Sequence, residues 1–321
     1  MRRGLVIGKF MPLHQGHCAL IRFAAVQCDE LIVSMTYKHD DPIPGLTRFE
    51  WIKEEFKNEP AIRPEISVDD FDDESLPLSE RIPLWLEFLS KRFPRISIII
   101  SSEAYGNELG KALAIPHFPF DPERKKVPVS GSLIRENPFR YWDFIAQPAR
   151  SYFVKRICFY GPESTGKSTM AKHFADRYHT EFVPEVSREL ISSNDFTVND
   201  IIRIGKTQTE RVIEKSRIAN KLLFCDTDLI TTEVYCRHYL GDIPPVLLEL
   251  EHQITYDQYF LFDIDVPWVA DGLRDLGNKR REMFELFKLE LERRKIRYQI
   301  VKGNFADREK QIAEFVDRYF L

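Results

Sequence analysis

Nowhere in its 321 residues does this chain run to about 18 apolar residues in a row, the length a helix needs to cross a bilayer, so no membrane span is expected. Only six strand-like residues follow Met1-Arg2-Arg3-Gly4, too few for the core of a secretory signal, and there is no room before Leu5 for a helix-turn-helix. The five cysteines (Cys18, Cys28, Cys158, Cys225, Cys236) contain no Cys-x-x-Cys pair, which argues for a reduced, cytoplasmic protein. A large charge of either sign is also missing. With a formal net charge of -4, broad nucleic-acid binding is not expected, and basic residues that serve phosphates have to be gathered locally. Internal repeats and low-complexity tracts are absent. What remains, 43% hydrophobic and 30% charged, is ordinary for a globular α/β chain long enough for two cores. The expected partners are small anionic molecules, with homo-oligomerisation left open.

Strand-like runs at Leu5 to Phe10, Glu30 to Thr36, Ile66 to Asp69, Ile96 to Ser101 and Ile115 to Phe120 alternate with helical patterns at Cys18 to Val26, Arg48 to Phe56, Ser79 to Phe93 and Tyr105 to Leu113. Such alternation predicts a parallel sheet with flanking helices. The pattern restarts at Lys155, with a helix over Lys167 to Tyr178 and strands near Glu181 to Val183, Leu222 to Cys225, Gln258 to Phe262 and Tyr298 to Val301. The expectation is two doubly wound parallel-sheet α/β domains, residues 1–149 and 150–321, joined through a packed aromatic connector at Arg135 to Tyr152.

Gly161-Pro162-Glu163-Ser164-Thr165-Gly166-Lys167-Ser168-Thr169 follows an apolar strand and opens a helix, the setting of a P-loop. Its glycines let backbone N–H groups curl around phosphate oxygens, Lys167 reaches the β and γ phosphates of ATP, and Ser168 offers a ligand to Mg2+. Asp226 ends the buried run Leu222 to Cys225, where a P-loop enzyme holds its magnesium. Asp228 either joins it or caps the next helix. Glu185 and Arg188 either meet an acceptor hydroxyl and a phosphate or form a surface ion pair. The glycine-hinged segment Asp271 to Gly277, with Lys279, Arg280 and Arg281 behind it, reads as a lid over transferring phosphate, and Arg274 is its expected clamp.

The other phosphate signature opens the chain: Gly8-Lys9-Phe10-Met11-Pro12-Leu13-His14-Gln15-Gly16-His17, again between a strand and a helix. Two imidazoles at a helix N-terminus suit an anion, whereas zinc would want further ligands. Its counterpart is Ser130-Gly131-Ser132-Leu133-Ile134-Arg135, whose hydroxyls and guanidinium suit the β and γ phosphates. Together they fit nucleotidyl transfer, in which one substrate's phosphate attacks the α phosphorus of ATP in line.

These stretches, with Asn137-Pro138-Phe139-Arg140-Tyr141-Trp142, the P-loop, Cys225 to Thr232 and Trp268 to Gly277, resemble NadR-type proteins over nearly the whole chain. The resemblance implies a bifunctional enzyme that phosphorylates nicotinamide riboside and then adenylylates nicotinamide mononucleotide to NAD, using magnesium ATP at both steps. Carried over by position, Gly8, Phe10, His14, His17, Ser130 and Arg135 serve adenylyl transfer. The stretch Gly161 to Thr169 with Asp226 serves the kinase. The resemblance also implies that Trp268 and Tyr298 flank the nicotinamide ring in the kinase site, and that Arg48 and Trp51 contact nicotinamide mononucleotide. Gln15 stands where threonine is common in the family. A fused phosphopantetheine adenylyltransferase and dephospho-coenzyme A kinase, and a non-catalytic nucleotide sensor, are the competing readings.

Overall fold

A computed structural model describes residues 1–191, 193, 195–270 and 276–321. The chain divides into two compact units, Met1–Tyr152 and Phe153–Leu321.

In the first unit the strands are β1 (Arg3–Gly8), β2 (Glu30–Tyr37), β3 (Ile62–Val68), β4 (Ile98–Ser101) and β5 (His117–Pro119). All pair in parallel in the order β3-β2-β1-β4-β5. The helices are α1 (Gln15–Ala25), α2 (Gly45–Glu55), α3 (Leu78–Arg92), α4 (Tyr105–Leu113), α5 (Gly131–Glu136) and α6 (Gln147–Phe153). β1 is central because Leu5, Val6 and Ile7 are apolar on both faces, as a strand covered by helices on both sides requires. β3 begins at Ile62 rather than Ile66, although Pro64 lies within it. At the sheet edge one side of the backbone needs no ladder partner, so a proline is tolerated there.

The connector is part of this unit's core. Trp142 and Ile145 are buried, Ala146 N–H donates to Leu13 O at 3.2 Å, and Ile145 bridges to His14. The residues after α5 thereby brace the loop that carries the first phosphate signature.

The second unit repeats the plan with β6 (Lys155–Tyr160), β7 (Glu181–Val183), β8 (Leu222–Asp226), β9 (Gln258–Phe262) and β10 (Tyr298–Val301), parallel in the order β10-β9-β6-β8-β7. Around them lie α7 (Lys167–Arg177), α8 (Ser187–Leu190), α9 (Val198–Ile218), α10 (Leu229–Leu240), α11 (Pro245–Glu251), α12 (Arg280–Arg293) and α13 (Phe305–Tyr319). Phe159, Phe174, Phe224, Phe260 and Phe262 fill its centre, with Phe159 within 5.2 to 6.0 Å of the other four ring centroids. Each such ring contributes about 1.5–3 kcal/mol by burial. In both units the strand order reverses beside the central strand, so the crevice at the carboxyl ends of the strands is the natural ligand position.

Candidate functional site

In the first unit the chain leaves β1 at Gly8 and enters α1 through a tight loop in which Phe10 takes a positive φ of 47° and tucks its ring inside. His14 is the N-cap of α1, and its Nδ1 accepts the His17 backbone N–H at 3.3 Å. The bond assigns the acceptor tautomer to Nδ1 and leaves the proton on Nε2. The two imidazoles stack with centroids 3.6 Å apart and planes 20° from parallel, and Phe10 meets His17 edge-on. A Cβ on Gly16 would stand 3.0 Å from the His14 ring, so glycine here makes room for the stack. Burial, then the charge of Arg124, lowers the His14 pKa to about 4. Burial, then His14 and Arg124, holds His17 well below its ordinary value. Both rings are therefore neutral near pH 7, and each carries one N–H donor rather than a full charge.

Against this loop lies α5. Ser130 caps it by accepting the Leu133 N–H at 3.3 Å. Arg135 donates to Met11 O and to Ser132 Oγ. A Cβ on Gly131 would fall 2.5 Å from Met11 O, so only glycine lets α5 approach so closely. Gly8, Phe10, His14, His17, Ser130 and Arg135 all line one cavity of about 560 Å³.

Arg48 and Trp51 do not line it. Arg48 is wholly buried, its guanidinium donating to Ile43 O, Lys9 O and Asp41, so it pins the phosphate loop from behind. Trp51 packs edge-on to Tyr152 at 5.6 Å. The cavity instead takes Lys9, Thr36, Asp69, Trp85 and Arg124. Lys9 was visible inside the motif, and Trp85 reads as an ordinary apolar position of α3.

In the second unit Gly161 (φ 129°) and Gly166 (φ 89°) curl the loop between β6 and α7. Lys167 Nζ donates to Pro162 O at 2.9 Å, as does Thr165 Oγ1 at 2.8 Å. Arg308 on α13, also buried, donates to Thr165 O, to Asp263 O at 2.9 Å and to Asp265, clamping the P-loop to the end of β9. Glu163 and Ser164 accept backbone N–H groups from Leu276 (3.1 Å) and Val269 (2.8 Å), so both flanks of the expected lid touch the P-loop. Arg274 and the rest of Asp271 to Asp275 lie outside the described residues. Arg280 and Arg281 begin α12. Arg280 donates to Val266 O and lies over Trp268, and Arg281 pairs with Glu285.

Asp226 ends β8 as a buried carboxylate whose Oδ1 has no hydrogen-bond partner. Burial, then the charge of Glu185, pushes it up to about 6 against the opposing pull of Lys167, Ser168 and Arg188. Asp228 does not join it. Thr227 turns the chain at a positive φ of 76°, and Asp228 caps α10 through Thr231 N–H (2.9 Å) and Oγ1 while accepting the Tyr259 hydroxyl at 3.0 Å. Its carboxylate lines a neighbouring cavity, not the one at the P-loop.

That P-loop cavity, about 190 Å³, brings Glu163 to Thr169 together with Glu185 and Arg188, which pair at 3.2 Å, and with the aromatic rings of Phe196, Tyr235 and Tyr239. Trp268 and Tyr298 are not brought together there. Trp268 sits against Gly277 and Arg280, and the Tyr298 hydroxyl donates to Glu292 of α12 at 3.1 Å.

A family model described as an AAA domain matches residues 156–308. The trifunctional NAD biosynthesis/regulator protein NadR of Salmonella typhimurium is 33% identical over 300 residues, 86% of this chain and 72% of that protein. The chain belongs to the NadR family. Two solved NadR structures, one in complex with NR and one with NAD and AMP-PNP, superpose with a TM-score of 0.82 at 21% and 22% identity, covering 99% of this chain and 96% of theirs. At that identity they establish the NadR fold for both units. Among the described residues, no helix is long and apolar enough to cross a membrane.

Proposed function

We propose that this NadR-family chain is a bifunctional enzyme of NAD biosynthesis. Its second unit passes the γ-phosphoryl group of ATP to the 5'-hydroxyl of nicotinamide riboside. Its first unit joins nicotinamide mononucleotide to the AMP moiety of ATP, giving NAD and pyrophosphate. The observation that carries the reading is a pair of cavities, one in each unit, each built around a phosphate-binding loop at the end of a central strand. The ligands of the solved NadR structures suit these two steps.

For adenylyl transfer, the acceptor's phosphate attacks the α phosphorus of ATP while pyrophosphate leaves from the opposite side. His14 and His17 donate N–H groups to the α-phosphate oxygens, and Ser130, Ser132 and Arg135 take the departing phosphates. Positioning and charge stabilisation suffice, with no covalent intermediate. Trp85 lines the cavity and supplies an indole that the cationic pyridinium would meet.

For phosphoryl transfer, Lys167 exchanges the Pro162 carbonyl for the β and γ phosphates. Because Asp228 is committed to its cap and to Tyr259, the base that takes the hydroxyl proton is Asp226 or Glu185. A magnesium ion fits this donor set: Asp226 Oδ1 is buried without a partner near the Ser168 hydroxyl, and Mg2+ accepts one or two protein oxygens alongside phosphates and water. When bound, it neutralises charge on the β and γ phosphates.

The test supplies ATP with nicotinamide riboside, with nicotinamide mononucleotide and with dephospho-coenzyme A, following ADP, pyrophosphate and NAD. His17→Ala is expected to abolish NAD formation and spare riboside phosphorylation, and Lys167→Ala to do the reverse. Turnover of dephospho-coenzyme A alone, or of nothing, overturns the proposal.

A further inference from the structure

We infer that Asp69 makes the first cavity select a pyridine nucleotide bearing a carboxamide over its counterpart bearing a carboxylate. The inference rests on the adenylyl-transfer reading and assigns the residue that sets its acceptor specificity. Asp69 directly follows β3, on the side of the crevice formed by β2 and β3, and lines the cavity with Lys9, Thr36 and Trp85. Away from the β3 end, His14 and His17 stand where the loop after β1 enters α1, and Arg135 donates to Met11 O of that same loop. If those groups hold the triphosphate, the acceptor's ring is left to the Asp69 side.

The Asp69 side chain is completely buried, and neither carboxylate oxygen has a hydrogen-bond partner; the Thr36 hydroxyl stands beside it without closing a bond of ordinary geometry. Buried carboxylates in folded proteins are almost always paired, because desolvation is costly. Burial and, to a smaller extent, the charge of Asp41 raise the Asp69 pKa, against the opposing pull of Thr36, Lys9 and Lys38. The two nearby ammonium groups are already committed. Lys9 Nζ pairs with Glu74 at 2.6 Å, and Lys38 Nζ donates to Asp72 O at 2.5 Å. The cavity wall therefore keeps an acceptor pair in reserve.

A carboxamide brings two N–H donors to such a pair. A carboxylate brings only acceptors and a charge like that of Asp69, whereas the neighbouring Asp72 and Glu74 are already neutralised by Arg81 and Lys9. A hydrogen bond to a charged group, weighed against like-charge repulsion, is worth roughly tenfold or more in selectivity.

The experiment compares kcat/KM for adenylyl transfer to nicotinamide mononucleotide and to nicotinate mononucleotide in the unaltered protein and in the near-isosteric Asp69→Asn. Calorimetric titration of the unaltered protein with each nucleotide runs beside it. The unaltered protein is expected to bind the acid at least tenfold more weakly. Asp69→Asn should cut the amide-to-acid ratio at least tenfold, mainly through KM, with thermal melting confirming the fold. Equal affinities in the unaltered protein, or a folded Asp69→Asn whose ratio stays within twofold, overturn the assignment while leaving adenylyl transfer standing. If the unaltered protein makes no dinucleotide from either nucleotide, the adenylyl-transfer reading falls and takes this inference with it.

Discussion

Acidification should weaken the first unit through one imidazole. His14 is only 5% exposed, and burial followed by the charge of Arg124 brings its pKa to about 4, against an ordinary value of 6.5. A histidine whose folded value is depressed contributes stability that is complete above 6.5 and lost as the pH falls through about 4, because the unfolded chain takes the proton first. At about 1.4 kcal/mol per pH unit, the gap amounts to about 3 kcal/mol by pH 4. His14→Gln keeps a polar side chain at the N-cap but takes up no proton, so the variant should escape that loss. Three of the four tryptophans (Trp51, Trp85, Trp142) lie in the first unit, so urea unfolding followed by tryptophan fluorescence reports mainly on it. The quantity to compare is the change in unfolding free energy between pH 7.5 and pH 4 in the two proteins. Taking this difference removes the titrating groups that do not interact with His14, including Asp228, whose value raised to about 6 has the opposite sign: its contribution is present at low pH and lost as the pH rises through 6, while the part of the His17 shift that comes from His14 stays within the measured difference. Equal losses in the two proteins, within about 1 kcal/mol, would refute the argument that the stacked imidazoles are held neutral by burial.

Two further substitutions probe how each phosphate loop is held. Arg308→Leu strips Thr165 O, Asp263 O and Asp265 of their shared donor, and should cost about 3 kcal/mol of stability in the second unit and raise the KM for ATP in riboside phosphorylation. An unchanged urea midpoint and KM would show that the P-loop stands without this clamp. Gly131→Ala forces a methyl to within 2.5 Å of Met11 O and should slow NAD formation roughly a hundredfold by shifting α5, without touching riboside phosphorylation. Steady-state rates of the two reactions in one preparation decide it, and full NAD-forming activity would mean that α5 adapts.

The phosphate loops were legible because their geometry is local. A run of apolar residues, a glycine-bearing turn and a helix start lie contiguously in sequence. The alternation of strand and helix likewise declared two parallel-sheet units. The proline-bearing edge strand β3 carried a weaker signal, legible only at its end from Ile66. Arg48 and Trp51 illustrate what pattern cannot say. Both stand on a recognisable helix, yet one guanidinium turns inward to three oxygen acceptors and the indole packs against Tyr152, so neither faces the cavity. Asp228 was undecidable from its spacing, since the positive φ at Thr227 that swings it away from Asp226 leaves no mark in the residue types.

From its residues alone this chain determined two glycine-bearing strand-to-helix loops, their order and the α/β character of the units that carry them, because short-range sterics and apolar periodicity are written in neighbouring residues. Tertiary packing decided which distant side chains complete each cavity. Asp69 and Glu185 reach their cavities because parallel sheets gather the carboxyl ends of strands far apart in sequence, and Trp85, Tyr235 and Tyr239 because the helices α3 and α10 pack beside those ends. Packing also decided which polar atoms were left without a partner, since that depends on every neighbour a fold brings near.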